Sequence, residues 1–556
     1  MTKEGESITY LEYDSYYPRP QMKRDSFYSL NGKWEFVAGE LRTEINIPFP
    51  PESILSGVNR SFEDGTCLVY TKSFTLPEGF LKDKVLLHFG AVDQIAKVYV
   101  NDTLACEHVG GYDSFSVDIT ALIKGENVIR VEVWDELDLH VLPYGKQKRK
   151  RGGMWYTPIS GIWQSVWLES VPSTYIRSIK IDADLNGATI RFDGISDGEV
   201  TVEAPDGTRS VPIKDGVSKI ALDAPRLWSP SDPYLYRFTA ISGEDKIESY
   251  FACRTLEIKT IDTYPRICLN GEPYYFHAVL DQGYFSDGIY TPATPELYEK
   301  DVLKMKELGF NTLRKHIKIE PEAFYYACDK HGMIVFQDMV NNGKYSFFRD
   351  TALPTIGLKR LSDRWQRRTQ DEKNAFETSM KKTVSQLYNH PSICYWTIFN
   401  EGWGQFESDR MYETLLSLDS TRIIDTNSGW FGKNKSHVES LHVYFKRVKL
   451  KKSTLPIVLS EFGGYSYKEK GHVANEIKTY GYKLFDSREQ FEKSFFDLYE
   501  RDVIPNIKRG LCGSVYTQLS DVEDETNGIL SYDRKITKLD KQKMLDLASK
   551  LKYRVK

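Results

Sequence analysis

Two glutamates that end apolar runs are the strongest candidates for chemistry in this sequence. Residues 392–403 are apolar, β-branched and aromatic until the polar pair Asn400 and Glu401. Residues 455–464 contain a second such run, which reaches Glu461. Runs of this kind are typical of strands buried on both faces. A carboxylate where a buried strand opens into a loop is unfavourable unless it is paired or functional, so we interpret the two glutamates as a catalytic pair.

The strands that position these glutamates belong to a repeating strand–helix pattern over residues 261–556. Eight strands are predicted, at 275–280, 311–317, 333–339, the run that begins at 392, 422–426, 437–444, 457–460 and 513–519. Strands that alternate with helices in this way predict a (β/α)₈ TIM barrel. Catalytic groups of such barrels lie at the C-terminal ends of the strands. We therefore expect Glu401, after the fourth strand, and Glu461, after the seventh, to face each other across the barrel mouth.

Two β domains are predicted before the barrel. Residues 1–171 show short strands separated by turn signals, which predicts a jelly-roll β-sandwich with the character of a sugar-binding domain. Residues 172–260 predict an immunoglobulin-like β-sandwich. The first domain carries a basic run at 146–151. We interpret this run as a solvated loop between strands; the alternatives are an anion or nucleic-acid patch, or a loop that reaches a neighbouring active site.

Composition limits the partners and the compartment. The 556 residues exceed one hydrophobic core, and the net charge of −4 gives no reason to expect a nucleic-acid partner. Seven cysteines without a CxxC pair fit a reducing compartment, and the first ten residues lack the apolar core of a signal peptide, so we expect a cytoplasmic protein. No apolar run of about 18 residues predicts a membrane span. The sequence is compatible with a homo-oligomer.

Two facing carboxylates suit the hydrolysis of a glycoside. One protonates the leaving oxygen while the other attacks or stabilises the anomeric carbon, and their separation decides between retention and inversion of configuration. Ordinary loop carboxylates are the alternative interpretation. A metal site built from His442, Glu461 and Asp338 is a weaker one, because no HExxH motif or clustered histidine spacing supports it. No organic cofactor is needed for this chemistry, and we assign no residue to a metal ion.

The same residues lie within motifs that resemble those of glycoside hydrolase family 2, the family of β-galactosidases, β-glucuronidases and β-mannosidases. The resemblance covers nearly the whole chain. It is carried by residues 30–34, 100–102, 110–112, 160–163, 389–392, 400–401 and 460–463. The Asn-His-Pro-Ser stretch that precedes the strand ending in Asn-Glu is the most specific of these motifs. The resemblance implies a sugar-binding jelly roll, an immunoglobulin-like domain and a catalytic barrel.

The resemblance also implies roles for single residues. Glu401 would be the general acid/base and Glu461 the nucleophile of a retaining double displacement. Asn400 would bind the 2-hydroxyl of the sugar, while Arg314 and Tyr444 would hold the nucleophile ionised and oriented.

Four further residues complete the candidate substrate-binding set. Trp403 and Trp430 are candidate sugar platforms, with core packing as the alternative. Asp338 and His442 are the other two members. Their positions near the ends of predicted strands place them at the same barrel mouth.

Three departures from the family pattern bear on the substrate. Family β-glucuronidases carry an asparagine and a lysine, two residues apart, after the eighth strand, whereas residues 525–528 here read Glu-Thr-Asn-Gly. A carboxylate substrate would be repelled by Asp524 and Glu525. The usual tryptophan of the eighth strand is replaced near Gln518, and residues 281–284 lack the His-Glu cluster of large β-galactosidases.

We therefore expect a retaining exo-glycosidase that removes a terminal neutral sugar and is most similar to a β-galactosidase. A β-glucuronide, a β-mannoside, an arabinoside or a galactofuranoside are alternative substrates. A non-catalytic carbohydrate-binding protein is the alternative from another functional class.

Overall fold

The computed structural model describes residues 1–8, 12–353, 363, 366, 368–431 and 435–553. Two β-sandwiches precede a barrel of parallel strands. The seven cysteines all lie within the described residues and form no disulfide bonds. In the described part of the chain, no helix has the length and apolar character needed to cross a membrane. The predicted domain boundaries, after residues 171 and 260, stay predictions.

The first sandwich consists of two antiparallel sheets. The four-stranded sheet contains, in spatial order, Phe27–Ser29, Val166–Val171, Lys84–Phe89 and Phe115–Asp118. The six-stranded sheet contains Leu41–Ile47, Gly32–Ala38, Leu68–Phe74, Asn127–Trp134, Ile95–Val100 and Thr103–Val109. A short pair joins Gly161–Ile162 to Val92–Asp93. Strand Asn127–Trp134 shows why the sheets pack: every second residue is buried, so one face covers the core.

The second sandwich is smaller and is also antiparallel. One sheet contains Ser178–Asp184, Gly187–Asp193 and Val217–Ala221, and the other contains Gly207–Ile213, Gly198–Ala204, Tyr236–Ser242 and Asp245–Phe251. A three-stranded sheet follows, formed by Leu256–Ile261, Tyr264–Leu269 and Glu272–Pro273. Its residues Ile267 and Leu269 pack with Phe276 from the first barrel strand. This sheet therefore covers one end of the barrel core and links the sandwich to it.

The barrel contains eight parallel strands, which we number in chain order. They are β1 Phe276–Asp281, β2 Thr312–Lys315, β3 Ile334–Asp338, β4 Ile393–Asn400, β5 Ile423–Ser428, β6 Glu439–Val443, β7 Ile457–Gly463 and β8 Leu511–Thr517. Each overlaps one of the eight predicted strands. The ladder runs from β5 through β4, β3, β2, β1, β8 and β7 to β6. The edges β5 and β6 approach through the bond from His437 N–H to the Ile424 carbonyl, 2.9 Å, so the barrel is nearly closed.

Helices surround the barrel strands. The longer ones are Glu296–Glu307, Glu322–His331, Gln370–Leu387, Ser408–Leu418, Arg488–Leu498 and Lys541–Lys550. The shorter ones are Lys3–Glu6, Glu12–Ser15 and Ile504–Ile507. A capping box starts helix Gln370–Leu387, because Thr369 accepts from the Glu372 N–H and Glu372 accepts from the Thr369 N–H. The predicted loop before this helix lies partly outside the described residues.

A segment of the first sandwich crosses the barrel mouth. Tyr144 donates from its N–H to the Asn341 carbonyl, 3.1 Å, and from its hydroxyl to the Gly343 carbonyl, 2.8 Å. Thr157 N–H donates to Glu523 Oε1, 2.9 Å, in the loop after β8. The predicted basic loop is part of this segment. Its residues 148, 150 and 151 are exposed, whereas 146 and 147 are buried against the mouth.

Candidate active site

The two predicted glutamates meet at the C-terminal end of the barrel. Glu401 directly follows β4, and Glu461 lies near the end of β7. One side-chain atom each of Glu401, His442 and Glu461 lie within 4.8 Å of one another. His442, in β6, separates the two carboxylates: its Nδ1 is 2.8 Å from Glu401 Oε1, and its Nε2 is 3.7 Å from Glu461 Oε1. The structure therefore brings three of the candidate residues into one cluster.

The backbone at Glu401 turns its carboxylate toward the mouth. Its φ is +51°, in the left-handed region that a non-glycine residue adopts only when its surroundings hold it. The Glu401 N–H donates to the carbonyl of Ser428 at the end of β5, 2.9 Å. The side chain keeps 21% of its surface exposed, so this carboxyl is open to a leaving group or to water.

Glu461 is more buried and is held on both oxygens. Arg314 Nη1 donates to Oε1, 2.9 Å, and the hydroxyl of Tyr444 donates to Oε2. Burial by itself would raise the pKa of Glu461, but the charges of His442 and Arg314 and the Tyr444 bond lower this pKa to about 2. Glu461 is therefore an anion at neutral pH.

Arg314, at the end of β2, connects Glu461 to the strands beside it. Its Nε donates to Asp338 Oδ1, 3.0 Å, its Nη1 also donates to the Ser460 carbonyl, 3.0 Å, and its Nη2 donates to Asn400 Oδ1, 2.9 Å. With the Asp338 Oδ2 contact at 3.0 Å, all five N–H groups of the guanidinium have acceptors. We call Arg314, Asp338, Asn400 and Glu461 the Arg314 network. Within it, Arg314 positions Glu461.

Asp338 and Asn400 have different places in this network. Asp338, in β3, accepts from Arg314 and has its Oδ2 2.7 Å from His316 Nδ1, so it lies behind the site. Burial opposes its ionisation, but Arg314 and His316 lower the pKa of Asp338. Asn400 uses its oxygen for Arg314, which leaves its amide N–H₂ to donate toward a substrate hydroxyl.

The two candidate tryptophans have different neighbours at the mouth. Trp403 is 3% exposed, donates from Nε1 to the Gly343 carbonyl, 3.0 Å, and packs edge-on against Trp155 of the first sandwich at 4.9 Å between ring centroids. Trp430 is 7% exposed, and its ring centroid lies 5.5 Å from that of His442. A platform role stays a prediction for both residues, and the position of Trp430 beside His442 suits it better.

Sequence reasoning missed several residues of the site. Tyr482 stacks on Tyr444 at 3.8 Å between ring centroids, in a segment without a strand or helix period. The hydroxyl of Ser428 is hydrogen-bonded to His442 Nε2, with 3.0 Å between the two atoms. His316 follows β2 two residues after Arg314, and that placement at a strand end is a signal that could have identified it.

The cluster of potential metal ligands coincides with the carboxylate pair. Among the described residues, it consists of Glu401, His442 and Glu461, and Asp338 of the metal hypothesis is not part of it. Arg314 and Tyr444 already donate to both oxygens of Glu461. A cation bound there would lie next to a guanidinium, so the donor set fits a carboxylate pair better than a metal site.

The three departures noted in the sequence join into one hydrogen-bond chain. Gln282 Nε2 donates to Gln518 Oε1, 2.9 Å, and Gln518 Nε2 donates to Asn527 Oδ1, 2.8 Å. Asn527 Nδ2 donates to Glu525 Oε1, 2.9 Å, and the Tyr156 hydroxyl donates to Glu525 Oε2. We call residues 144–157 and 518–527 the cross-domain wall. It borders the mouth with amides and a buried carboxylate.

Comparison with known proteins agrees with this architecture. The sequence profile of the TIM barrel domain of glycosyl hydrolases family 2 matches residues 264–544, about half of the chain. The profile of the sugar binding domain of that family matches residues 54–172, and a third profile of the family matches 174–254. The predicted fold class, a jelly roll followed by an immunoglobulin-like sandwich and a TIM barrel, is confirmed.

Single relatives are more distant. A β-galactosidase of Thermoanaerobacter pseudethanolicus is 27% identical over 64% of this chain and 47% of its own length. A β-glucuronidase of Bacteroides fragilis is 24% identical over 71% of this chain and 61% of its own length. This chain thus spans about half the length of the first relative. The structure of a β-D-glucuronidase of Dictyoglomus thermophilum covers 96% of this chain and 98% of its own, with 18% identity and a TM-score of 0.74. Together, the three profiles and the site geometry show that the chain belongs to glycosyl hydrolases family 2.

Proposed function

We propose that the protein is a retaining exo-glycosidase with Glu461 as nucleophile and Glu401 as general acid/base. The observation that carries the proposal is the separation of the two carboxylates, whose oxygens lie within 4.8 Å of each other. Carboxyl groups of retaining enzymes are about 5–5.5 Å apart, whereas inverting enzymes need roughly 6.5–9.5 Å to hold a water molecule between them and the sugar.

The two environments support different roles for the two glutamates. Glu461 is held as an anion by Arg314 and Tyr444, which suits attack on the anomeric carbon. Glu401 is more exposed and touches His442, which suits transfer of a proton to the leaving oxygen. In the second step, Glu401 takes a proton from the water that cleaves the glycosyl–Glu461 ester, and the sugar leaves with its configuration retained.

We propose a neutral terminal sugar, most similar to a β-galactoside, as the substrate. The cross-domain wall closes one side of the mouth, which favours removal of a terminal sugar over cleavage within a long chain. The wall also places Glu525 and the neutral amides of Gln518 and Asn527 at the mouth. Carboxylates on the wall and on the catalytic pair disfavour a substrate with its own negative charge.

A β-glucuronide is the second candidate substrate. The names of two similar proteins favour it, because the B. fragilis relative and the D. thermophilum structure are β-glucuronidases. The T. pseudethanolicus relative is a β-galactosidase, and this chain matches only part of it.

A panel of aryl glycosides tests the proposal. Wild type, Glu401→Gln and Glu461→Gln would be assayed on β-galactoside, β-glucuronide, β-mannoside, α-L-arabinoside and galactofuranoside substrates. We expect turnover of a neutral sugar, a loss of roughly 10⁴-fold or more in Glu461→Gln, and a loss of about 10²- to 10⁴-fold in Glu401→Gln. Glu413→Gln is the matched control, because Glu413 lies exposed on the barrel helix Ser408–Leu418.

Two outcomes would contradict the proposal. Wild type without activity on any of the glycosides would favour a non-catalytic carbohydrate-binding protein. An inverted product, read by NMR of the freshly released sugar, would exclude the double displacement.

A further inference from the structure

Lys146 is the buried lysine of the basic run. Its neighbours Lys148 and Lys150 are exposed, whereas only 8% of the surface of Lys146 is exposed. A buried lysine is rare unless its charge has a partner. Within the described residues, the Lys146 ammonium forms neither a hydrogen bond nor an ion pair. The stem of the side chain is therefore buried, while the ammonium, which is not among the fully buried unpartnered atoms, keeps access to solvent.

The backbone on both sides of Lys146 is fixed to the barrel mouth. Gly145 has a φ of +67°, and a side chain there would come within 2.7 Å of the Ile317 carbonyl oxygen, just beyond β2. On the other side, Gln147 donates from Nε2 to the Tyr112 hydroxyl, 3.1 Å, and accepts at Oε1 from the Ile159 N–H, 2.7 Å. The Lys146 carbonyl accepts from the Tyr156 N–H, 3.0 Å. The position of Lys146 is therefore set by the fold.

The charge of Lys146 acts both on the Arg314 network and on Glu525 in the other part of the cross-domain wall. The buried His316, which contacts the Arg314 network, is one of the residues on which the Lys146 charge acts. Burial lowers the pKa of His316, the bond with Asp338 raises it, and the charge of Lys146 lowers it further. The charge of Lys146 acts on Glu525 as well. Burial raises the pKa of Glu525, while the Tyr156 bond and Lys146 act in the opposite direction. Tyr156 connects the two residues, because its N–H donates to the Lys146 carbonyl, 3.0 Å, and its hydroxyl donates to Glu525 Oε2.

We propose that Lys146 and Glu525 bind hydroxyl groups of the terminal sugar as a donor–acceptor pair, so that the first β domain completes the active site. This inference rests on the proposed function. Each oxygen of Glu525 already accepts one hydrogen bond and retains a second lone pair for a sugar hydroxyl. The ammonium carries three donors. A hydroxyl accepts from lysine and donates to glutamate, whereas a substrate carboxylate would gain from Lys146 but be repelled by Glu525.

The test compares Lys146→Met with Lys124→Met. Both changes remove an ammonium from the first β domain, but Lys124 is exposed and lies outside the cross-domain wall. On the aryl glycoside that wild type hydrolyses best, we expect kcat/KM to fall about 10- to 150-fold in Lys146→Met, the effect of losing a charged hydrogen bond. Lys124→Met should match wild type. Thermal unfolding of each variant verifies that the fold is kept.

Deoxy substrates separate binding from a structural role. On the monodeoxy aryl glycoside that lacks the bound hydroxyl, Lys146→Met should differ from wild type by less than about 3-fold, because the partner of the ammonium is already absent. Glu525→Gln should show the same selective loss. An equal loss on every deoxy analogue would overturn the proposal in favour of a structural role. A greater loss on an aryl glucuronide than on any neutral glycoside would overturn the assignment to hydroxyls.

The two proposals fail in different ways. Full activity in Glu461→Gln would refute the catalytic assignment, whatever Lys146→Met does. If Glu461→Gln is inactive and Lys146→Met is fully active, the catalytic pair stands and the role of Lys146 is refuted.

Discussion

Around Glu461 the barrel supplies the charged contacts from its own strands, whereas the cross-domain wall around Glu525 is shared between the loop after β8 and the first β domain. The Arg314 network connects β2, β3, β4 and β7. The wall instead depends on contacts such as Tyr156 to Glu525, more than 300 residues apart in the chain. The comparison suggests that the chemistry is built into one domain, while the choice of sugar depends on how two domains meet.

Arg314→Met should produce the largest effect, because it removes the cation of the Arg314 network, which the barrel strands form without the first β domain. It leaves Asp338 and Glu461 buried without their shared cation, which should destabilise the fold by about 3–5 kcal/mol. Displacement of the nucleophile should lower kcat by about 10²-fold or more. Urea unfolding and steady-state kinetics measure both effects. Arg410→Met is the control. Arg410 forms two exposed ion pairs, so this change should have little effect on stability or on kcat. Equal effects in the two variants would show that Arg314 contributes no more to stability and to kcat than an arginine in exposed ion pairs.

Tyr444→Phe should have the next largest effect. The hydroxyl stabilises the Glu461 anion, so its removal should raise the pKa of Glu461 above its value of about 2. Since the nucleophile must be ionised, the acid limb of the kcat/KM–pH profile should move to higher pH. The rate at neutral pH should fall by about 10-fold. An acid limb at the same pH as in wild type would show that Tyr444 does not stabilise this anion.

Tyr156→Phe should affect the other side of the site. It removes one donor from Glu525, for which we expect about a 5-fold lower kcat/KM, the effect of an ordinary hydrogen bond. The acid limb should stay in place, because Glu461 keeps its own contacts. A shifted acid limb in this variant would show that the wall and the Arg314 network are coupled, and the contrast between the two sides would fail.

Arg151→Gln should give the smallest effect. Arg151 is part of the basic run, pairs with Glu523 at 3.0 Å and keeps 46% of its surface exposed. An exposed ion pair contributes about 0–1 kcal/mol. We expect kcat/KM within about 2-fold of wild type and an equally small change in stability. A loss as large as that of Tyr156→Phe would mean that the exposed edge of the wall also positions the substrate.

The barrel side of the site was largely accessible from the sequence. Strands β4 and β7 are apolar over most of their length, and the polar residues near their C-terminal ends must lie at the same edge of the barrel. For this reason Glu401 and Glu461 could be named from their positions, whereas Arg314 was named through the family resemblance. His316 obeys the same rule and was missed. Its hydrogen bond with Asp338 joins it to the neighbouring strand β3, a contact that the sequence does not show.

The cross-domain wall was not accessible in the same way. Lys146 and Glu525 lie in loops of different domains, and neither loop has a period that predicts where it will pack. The basic run was interpreted mainly as a solvated loop, which fits the exposed Lys148 and Lys150 but not the buried Lys146. Such contacts depend on the docking of whole domains, which local patterns do not encode.

The segment that crosses the barrel mouth also has a consequence for how the protein acquires activity. Its anchors, such as Tyr144 on Asn341 and Gly145 against Ile317, form only when the N-terminal sandwich has docked on a finished barrel. Contacts this distant in sequence form late, because the intervening chain must first be ordered. During refolding, secondary structure should therefore return before hydrolysis does, and the lag between the two signals would report the time that the domains need to find each other.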